Sequence, residues 1–326
     1  MIAVRTNSTD PYYNLAAEEY FLKYTDHDVF MLWQNDKTAV IGKNQNVYAE
    51  INLQFARENG ITVVRRITGG GAVYHDLGNV NYTFITSRDR AGTLNFAYFT
   101  SPIISALEAL GIKAELSGRN DILCNGLKIS GNAQFSDEKR VLHHGTLLFD
   151  SDLSLMPDLL TVDPEKIRSK SIKSVKSRVT NLKALLPDKS LTVNGFIDII
   201  GKHVSDMYDA ESYSITDTEK RKIIKLREKY ACEEWNFPAK GTFDCRSKKY
   251  GSYGLVDIYY SVKNGLLESI SVCGDFFGTK DISDIKEKLT NVPHSRTDIE
   301  NALSDTDISE YISGITKNEF INMLFE

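Results

Sequence analysis

The residues best suited to chemistry lie in one short stretch. An apolar run over residues 61–64 predicts a strand that ends at two arginines. Three consecutive glycines then let backbone N–H groups approach a ligand with no Cβ in the way, and guanidinium groups are planar, permanently charged partners for anions. We therefore predict a cradle for a polyphosphate, an adenylate or a carboxylate. The stretch reads Arg65-Arg66-Ile67-Thr68-Gly69-Gly70-Gly71-Ala72-Val73-Tyr74-His75-Asp76, followed by Gly78-Asn79.

This stretch differs from the two common nucleotide-binding loops. A Walker loop ends in Gly-Lys-Ser/Thr, which these residues lack, and the dinucleotide fingerprint opens a helix, whereas no helical pattern follows these glycines. A glycine-rich hairpin turn with two solvated arginines is the alternative interpretation.

Two segments further along the chain could add charge to the same ligand. Asp121 ends a turn of small polar residues and offers a carboxylate to a metal or a cation. Lys128 alternates with Leu127 and Ile129 in a strand pattern, so it can point into a polar cavity. There it could neutralise charge that develops during acyl or phosphoryl transfer. An ordinary turn and a solvent-facing lysine are the alternatives.

Histidine, cysteine and a basic run complete the candidates. His143 and His144 are neighbours in a strand and must face opposite sides, so joint metal binding is not expected. Cys124 is either a thiol nucleophile or a small buried hydrophobe. Residues 166–178 carry six basic residues in thirteen; they form either a solvated surface segment or a mobile lid over a phosphate-bearing ligand.

Composition indicates an ordinary soluble chain. The 326 residues are 41% hydrophobic and 25% charged, enough for two domains with sizeable cores. The net charge of −5 does not favour nucleic-acid binding, so an anion site must be local. No run of about 18 apolar residues occurs, so we expect no membrane span. Four scattered cysteines with no C-x-x-C pair fit a reducing cytoplasm rather than a zinc site.

Local patterns predict strands joined by short turns, followed by a polar helical region. We expect helices from Asp10-Pro11 to residue 22, over 51–59 and over 95–110, with strands over 29–33 and 38–42, a half-buried strand over 79–86, and antiparallel strands over 122–135 and 141–149. Residues 152–231 look helical and polar. A hairpin around Lys263-Asn264-Gly265 and helices over 281–289 and 297–304 follow. A boundary within residues 242–252 gives two domains, 1–245 and 246–326.

These residues, taken in order, resemble the lipoate–protein ligase family. The resemblance runs in order over nearly the whole chain, which argues against coincidence. In the second domain, Gly274-Asp275-Phe276-Phe277 looks like the accessory domain of the long bacterial form. The matching segments are the arginine–glycine stretch, residues 117–121, Lys128-Ile129-Ser130-Gly131, His143-His144-Gly145-Thr146-Leu147-Leu148 and residues 174–182.

The resemblance implies an α+β fold with mixed and antiparallel sheets. The catalytic domain would be related to biotin protein ligases and class II aminoacyl-tRNA synthetases, and the C-terminal domain would be small and α+β. Family members activate lipoate with ATP and Mg²⁺ to lipoyl-adenylate. They then pass the lipoyl group to one lysine of a lipoyl carrier domain, in the E2 subunits of 2-oxoacid dehydrogenases or in the glycine-cleavage H protein.

The resemblance also implies roles for individual residues. Lys128 would contact both lipoate and the adenylate, and Asp121 would lie near the phosphates or Mg²⁺. The family often has serine where this chain has Thr68, and phenylalanine where it has Tyr74; neither departure removes a group the chemistry needs. The expected nucleotide contacts are Arg66, Gly70, Gly71, Ala72, Val73, Tyr74, His75, Asn79, Asp121 and Lys128.

Three other functions are considered. An octanoyl- or lipoyl-transferase of the same fold would use a cysteine and no ATP, and Cys124 is the cysteine nearest the expected site. Biotin ligation is less favoured because no Gly-Arg-Gly-Arg loop occurs. A non-catalytic module that binds lipoate or lipoyl domains would not need the intact Arg66, glycine turn and Lys128.

Overall fold

The computed structural model describes residues 1–161, 179–238 and 241–326. Within these ranges the protein is α+β, as predicted, and no helix is both long and apolar enough to cross a bilayer. The strands are β1 (Ile2–Arg5), β2 (Val29–Trp33), β3 (Thr38–Ile41), β4 (Thr62–Arg65), β5 (Val73–His75), β6 (Asn79–Ser87), β7 (Glu115–Ser117), β8 (Asp121–Cys124), β9 (Leu127–Ser136), β10 (Arg140–Leu148), β11 (Glu211–Tyr213), β12 (Cys245–Gly251), β13 (Gly254–Lys263) and β14 (Leu266–Gly274).

Helices of very different lengths connect and cover these strands. Two short 3₁₀ segments, Leu182–Ala184 and Ile308–Glu310, accompany them. The α-helices are α1 (Pro11–Tyr24), α2 (Val47–Glu50), α3 (Leu53–Glu58), α4 (Arg88–Ala91), α5 (Phe96–Ala109), α6 (Met156–Leu159), α7 (Val193–Tyr208), α8 (Asp217–Ala231), α9 (Glu233–Asn236), α10 (Ser283–Leu289), α11 (Arg296–Ala302) and α12 (Lys317–Asn322).

An eight-stranded mixed sheet forms the centre of the larger domain. Its spatial order is β11-β1-β2-β6-β10-β9-β8-β7, and β1 runs parallel to both β2 and β11 while the other pairs are antiparallel. A small sheet of order β4-β3-β5 lies beside it. The predicted start of α1 is confirmed, because Asp10 accepts the backbone N–H of Tyr12 and Pro11 occupies the first turn.

The two faces of the large sheet have separate cores. Phe30 and Leu32 of β2 join a core with α5 and α7, whereas Met31 and Trp33 face a second core with α1 and α8. Strand β6 divides its side chains in the same way. The prediction of a half-buried β6 was therefore wrong: residues 79–86 are all buried, because helices cover both faces.

A second correction concerns the single strand predicted over residues 122–135. It is a hairpin, β8 and β9, joined by Asn125 and Gly126 with φ of 52° and 77°. The Asn-Gly pair is a turn signal that supplies positive φ at both positions. The hairpin places Asp121 on one strand beside Lys128 on the other.

A third correction concerns residues 51–59. The helix there is only α3, Leu53–Glu58, and a separate short turn of helix, α2, precedes it. Residues 166–178, the predicted lid or surface segment, lie outside the described residues.

The smaller domain has its own core, in which α10, α11 and α12 pack against a three-stranded antiparallel sheet, β12-β13-β14. The predicted hairpin around residues 263–265 is confirmed, with Asn264 and Gly265 at φ of 52° and 77°. Strand β12 was not predicted.

The end of β14 touches the larger domain directly. Gly274 N donates to Asn44 O at 2.9 Å, and Gly70 N lies 3.4 Å from Phe276 O. The ring of Phe277 packs against Phe96 and Ala133. The glycine stretch of the first domain is thus covered by the loop after β14.

Candidate functional site

A cavity of about 100 Å³ opens between the glycine stretch, β2, β9 and β10. Much of its wall is apolar, and a few cationic and hydrogen-bonding groups converge on it. The described residues of the wall are Leu15, Trp33, Val40, Arg66, Gly70, Gly71, Ala72, Val73, His75, Asn81, Asn120, Lys128, Gly131, Asn132, Ala133, His144, Gly145 and Thr146.

The structure brings most of the predicted site residues together. Seven of the expected contacts line this wall, and three do not: Tyr74, Asn79 and Asp121. Strand alternation explains Tyr74, because Val73 and His75 face the cavity while the Tyr74 ring lies among the side chains of the small sheet. Asn79 is buried and donates through Nδ2 to Asn81, which does line the wall.

The glycine stretch is a tight turn between β4 and β5. Only Gly70 of its three glycines has the positive φ, 89°, that favours glycine. Gly69 is required for a different reason, because a Cβ there would lie 2.5 Å from Phe276 O. Packing against the second domain, as well as access for a ligand, therefore selects these glycines.

Arg66 reaches the cavity from behind the turn. Its Nη2 donates to Gly69 O at 2.7 Å and to Gly71 O at 2.8 Å, and its Nη1 donates to Val40 O. The side chain is buried, which lowers the pKa of Arg66 to about 10, so it keeps its charge at neutral pH. A fixed cation therefore lies in the cavity wall.

Arg65 is not a ligand group, contrary to the expectation of two arginines beside an anion. Its guanidinium donates to the backbone carbonyls of Gly42, Lys43, Gln45, Trp235 and Asn236. Burial lowers the pKa of Arg65 to about 10. Arg65 therefore connects the loop after β3 to α9 through hydrogen bonds.

His75 lines the cavity, and one of its ring nitrogens has no protein partner. Its Nδ1 accepts from Asn35 Nδ2 at 3.2 Å, which leaves the proton on Nε2. Nε2 is buried and has no hydrogen-bond partner. Burial, with help from the Arg66 charge, lowers the pKa of His75 to about 3. The neutral imidazole therefore keeps one buried N–H without a protein partner in a residue of the cavity wall.

Lys128 and Asp121 form an ion pair because the β8–β9 hairpin places them side by side. Lys128 Nζ lies 2.7 Å from Asp121 Oδ1, and both side chains are largely buried. The turn before Asp121 is held by Asn120, whose Nδ2 donates to Asn132 O at 2.7 Å. The ammonium group is thus positioned at the cavity by a rigid hairpin.

The described residues form no preassembled metal-binding site. No three His, Cys, Asp or Glu side chains converge within residues 1–161, 179–238 and 241–326. Asp121 is the carboxylate beside the cavity cation Lys128. Mg²⁺ commonly binds through one or two carboxylates together with substrate phosphates, so this arrangement fits a metal that arrives with a phosphate ligand.

The two histidines of β10 face opposite sides, as predicted. His144 lines the cavity, whereas His143 stacks on Phe99 and Tyr82 in the core under α5. Cys124 is buried in the same core as these aromatic rings. Burial raises the pKa of its thiol, which disfavours a thiolate nucleophile there.

Several wall residues escaped the sequence analysis. One signal was available, since Asn79, Asn81 and Thr83 place polar groups on one face of an otherwise apolar strand. The remaining contributors that the sequence did not single out are separated widely along the chain and carry no local pattern: Leu15, Trp33 and Val40.

Comparisons with known proteins agree over the full length. Residues 10–205 match the family described as the lipoyl protein ligase A/B catalytic domain, and residues 241–324 match the bacterial lipoate protein ligase C-terminus. Lipoate-protein ligase LplJ of Bacillus subtilis is 41% identical over 98% of both chains. Lipoate–protein ligase 1 of Staphylococcus aureus is also 41% identical, again over 98% of each chain.

Solved structures share the fold. P. falciparum LipL1, determined in complex with lipoate, has a TM-score of 0.79 at 24% identity, covering 98% of this chain and 97% of its own. A lipoate-protein ligase A bound with ATP has a TM-score of 0.62 at 26% identity, covering 72% of this chain and 97% of its own. Together with the matches along both domains, these findings show that the chain belongs to the lipoate-protein ligase family.

Proposed function

We propose that this enzyme activates lipoate with ATP and then transfers the lipoyl group to a lysine of a carrier domain. A lipoate carboxylate oxygen attacks the α-phosphorus of ATP, the bond to pyrophosphate breaks, and lipoyl-adenylate forms. The carrier amine then attacks the acyl carbon, AMP leaves with the electron pair, and the amine loses a proton. The observation that carries the proposal is one cavity whose wall holds Lys128, Arg66 and a glycine turn among apolar side chains.

The apolar part of the wall suits the acyl chain and dithiolane ring. Leu15, Trp33, Val40, Val73 and Ala133 supply it from α1 and strands of both sheets. Burying such a tail gains roughly 25 cal/mol for each Å² of apolar surface removed from water. The cavity of about 100 Å³ is smaller than the ~300–1,000 Å³ typical of ligand sites. Binding of both substrates would therefore require the wall to open.

Lys128 would supply the main charge stabilisation. A carboxylate and the α-phosphate repel each other, and negative charge builds up further as they join. An ammonium group fixed at the point of reaction lowers the energy of that transition state without reorganising. The Asp121 carboxylate keeps Lys128 partnered when substrates are absent.

Arg66 and the turn from Gly70 to Val73 would hold the nucleotide, with His75 donating its free Nε2–H. Tyr74 and Asn79 would then act indirectly, through the β5 backbone and through Asn81. We further propose that Mg²⁺ enters with ATP and that Asp121 is its nearest protein carboxylate. Bound Mg²⁺ would neutralise phosphate charge.

The carrier would be a lipoyl domain, such as that of a 2-oxoacid dehydrogenase E2 subunit or the glycine-cleavage H protein. One related ligase, 27% identical with a TM-score of 0.63, is described together with an E2 lipoyl domain from Thermoplasma acidophilum. We place the catalytic unit at residues 1–245 and the accessory unit at 246–326, a division that falls one residue inside β12, whose first residue is Cys245.

A two-stage assay tests the proposal. Purified protein is incubated with ATP, Mg²⁺ and lipoate, and pyrophosphate is measured; an apo lipoyl domain is then added, and its mass is followed. We expect lipoate-dependent pyrophosphate release and a lipoyl mass increase on the carrier. Transfer without ATP from an acyl donor other than lipoyl-adenylate, or pyrophosphate release that does not depend on lipoate, would contradict the proposal.

A further inference from the structure

A chain of hydrogen bonds runs from helix α1 to Arg66 behind the cavity wall. Arg66 Nε lies 2.8 Å from Thr68 Oγ1, which lies 2.9 Å from His144 Nε2. His144 Nδ1 in turn lies 2.9 Å from Glu18 Oε1. The four residues come from the end of β4, the glycine turn, β10 and α1, so tertiary packing alone assembles them.

The chemistry of the two end groups determines the direction of the two outer bonds. A guanidinium can only donate and an ionised carboxylate can only accept. The Thr68 hydroxyl therefore accepts from Arg66, and Glu18 accepts the Nδ1–H of His144; when the imidazole is neutral, Thr68 donates its hydroxyl to His144 Nε2. This assignment selects a single imidazole tautomer and leaves no donor or acceptor along the line unmatched.

The carboxylate end of the chain is rigid. Thr83 Oγ1 donates to Glu18 Oε1 at 2.5 Å, and Trp33 Nε1 donates to that same hydroxyl at 2.8 Å. Glu18 is 1% exposed and Thr68 is fully buried. A buried carboxylate needs compensation, and the charge of Glu18 favours the protonated form of Arg66 and so opposes the effect of burial on its pKa.

We propose that Glu18, His144 and Thr68 are positioning residues that hold the Arg66 guanidinium, and through it the glycine turn, in the orientation that receives the nucleotide. The proposal rests on the function proposed above, in which Arg66 contacts ATP. The Nη2 atom of Arg66 binds the carbonyls of Gly69 and Gly71, so the plane of the guanidinium and the shape of the turn are coupled. Loss of the bond from Nε would remove one of the four hydrogen bonds that fix the guanidinium and would loosen its hold on the turn.

The neighbouring residue Glu19 is a matched control. It is 3% exposed on the same helix, and its carboxylate accepts from Lys23, Lys229 and Tyr230. None of these partners lines the cavity. Glu19→Gln therefore removes an equally buried charge without touching the hydrogen-bond chain.

The test compares Thr68→Val with Thr68→Ser in lipoate-dependent pyrophosphate release. Valine keeps the shape and removes the hydroxyl, so we expect the KM for ATP to rise about tenfold, a loss typical of a hydrogen bond to a charged group. We expect a much smaller change in kcat, and serine should return the KM to within about twofold of wild type. An unchanged KM for ATP in a folded Thr68→Val enzyme overturns the proposal.

Glu18→Gln keeps the test decisive if Thr68→Val does not fold. Glutamine retains an acceptor for His144 but removes the charge, so we expect the KM for ATP to rise several-fold, while Glu19→Gln stays within about twofold of wild type. Equal effects at Glu18 and Glu19 would mean that burial alone matters and would refute the positioning role. A wild-type enzyme without lipoate-dependent pyrophosphate release would instead refute the proposed function, and the positioning role with it.

Discussion

The two faces of the eight-stranded sheet use similar residues for different ends. On the α5 face, His143 Nε2 bonds Asn132 Oδ1 at 3.1 Å and its Nδ1 accepts from Gln134, so the imidazole is fully partnered among aromatic rings. On the α1 face, His144 borders the cavity and links Glu18 to Thr68. His143 and His144 are adjacent in β10, yet the first has a structural role and the second belongs to the site.

The difference shows how a sheet can combine stability with function. On the α5 face, aromatic rings and side-chain amides surround His143 and partner both of its ring nitrogens. The α1 face keeps one unpartnered donor, His75 Nε2, and two cations at a cavity. Buried polar groups without hydrogen-bond partners and unfilled cavities reduce the stability of a protein core. On the α1 face, a bound ligand would fill the cavity and supply the missing partners.

The largest expected effect follows from Lys128→Ala, which removes the cavity ammonium. Loss of one preorganised charge-stabilising group typically reduces kcat by about 10²–10³-fold, and we expect at least that loss in lipoate-dependent pyrophosphate release. Lys139→Ala, at the exposed turn between β9 and β10, is the control and should retain wild-type rates. Undiminished release by Lys128→Ala would remove this residue from the mechanism.

A change on the opposite face should affect stability instead. His143→Ala leaves Gln134 Nε2 without an acceptor and opens a hole beside Tyr82 and Phe99. We expect the free energy of unfolding in urea to fall by about 3 kcal/mol, with the KM for ATP within twofold of wild type. A tenfold rise in that KM without loss of stability would show that the two faces are not separate in function.

The pH dependence of stability tests the unpartnered donor on the cavity face. Burial lowers the pKa of His75 to about 3, whereas the ordinary value is 6.5. Between these values the unfolded chain binds a proton that the folded protein does not, so His75 makes stability rise with pH, and this contribution is lost as the pH falls toward 3.

We therefore expect His75→Gln to flatten the stability curve between about pH 4 and 6. The slope of the free energy of unfolding against pH should be smaller in the variant than in the wild type by roughly 1.4 kcal/mol per pH unit. Urea denaturation at pH 4.5 and 5.5 measures the difference. Parallel curves for wild type and variant would show that His75 accepts a proton in the fold.

The smallest effect on activity is expected at Cys124, which lies in the core of the α5 face. Cys124→Ala removes a small buried side chain, so we expect a modest loss of stability, of about 1 kcal/mol, and ATP-dependent ligation within twofold of wild type. Loss of ligation, or accumulation of an acyl-enzyme that depends on this thiol, would favour the cysteine transferase considered above.

Local sequence predicted the elements whose signals are local. The cap at Asp10, the strand that ends at Arg65 and the turn at Asn264-Gly265 depend on residues within a few positions of one another, and all three are present. The Asn125-Gly126 turn carries the same kind of signal, but the apolar residues on both sides made one long strand look equally good. Short apolar runs do not distinguish these cases.

The candidate site was predicted in part for the same reason. Gly70, His75 and Lys128 carry recognisable types in recognisable patterns, and they line the cavity. Glu18 did not stand out, because an acidic residue within a helix normally faces solvent and its partner His144 is 126 positions away. Such a contact exists only after α1 packs on the sheet.

Residue types and their order, read without coordinates, determined the family of this protein, the α+β fold class and the position of the arginine–glycine stretch. Tertiary structure alone decided which of two adjacent arginines and which of two adjacent histidines reach the cavity. The physical reason is that strand alternation separates neighbours onto opposite faces but does not say what covers each face. Here α5 seals one face while α1 leaves space on the other, and the loop after β14 closes over the glycine turn.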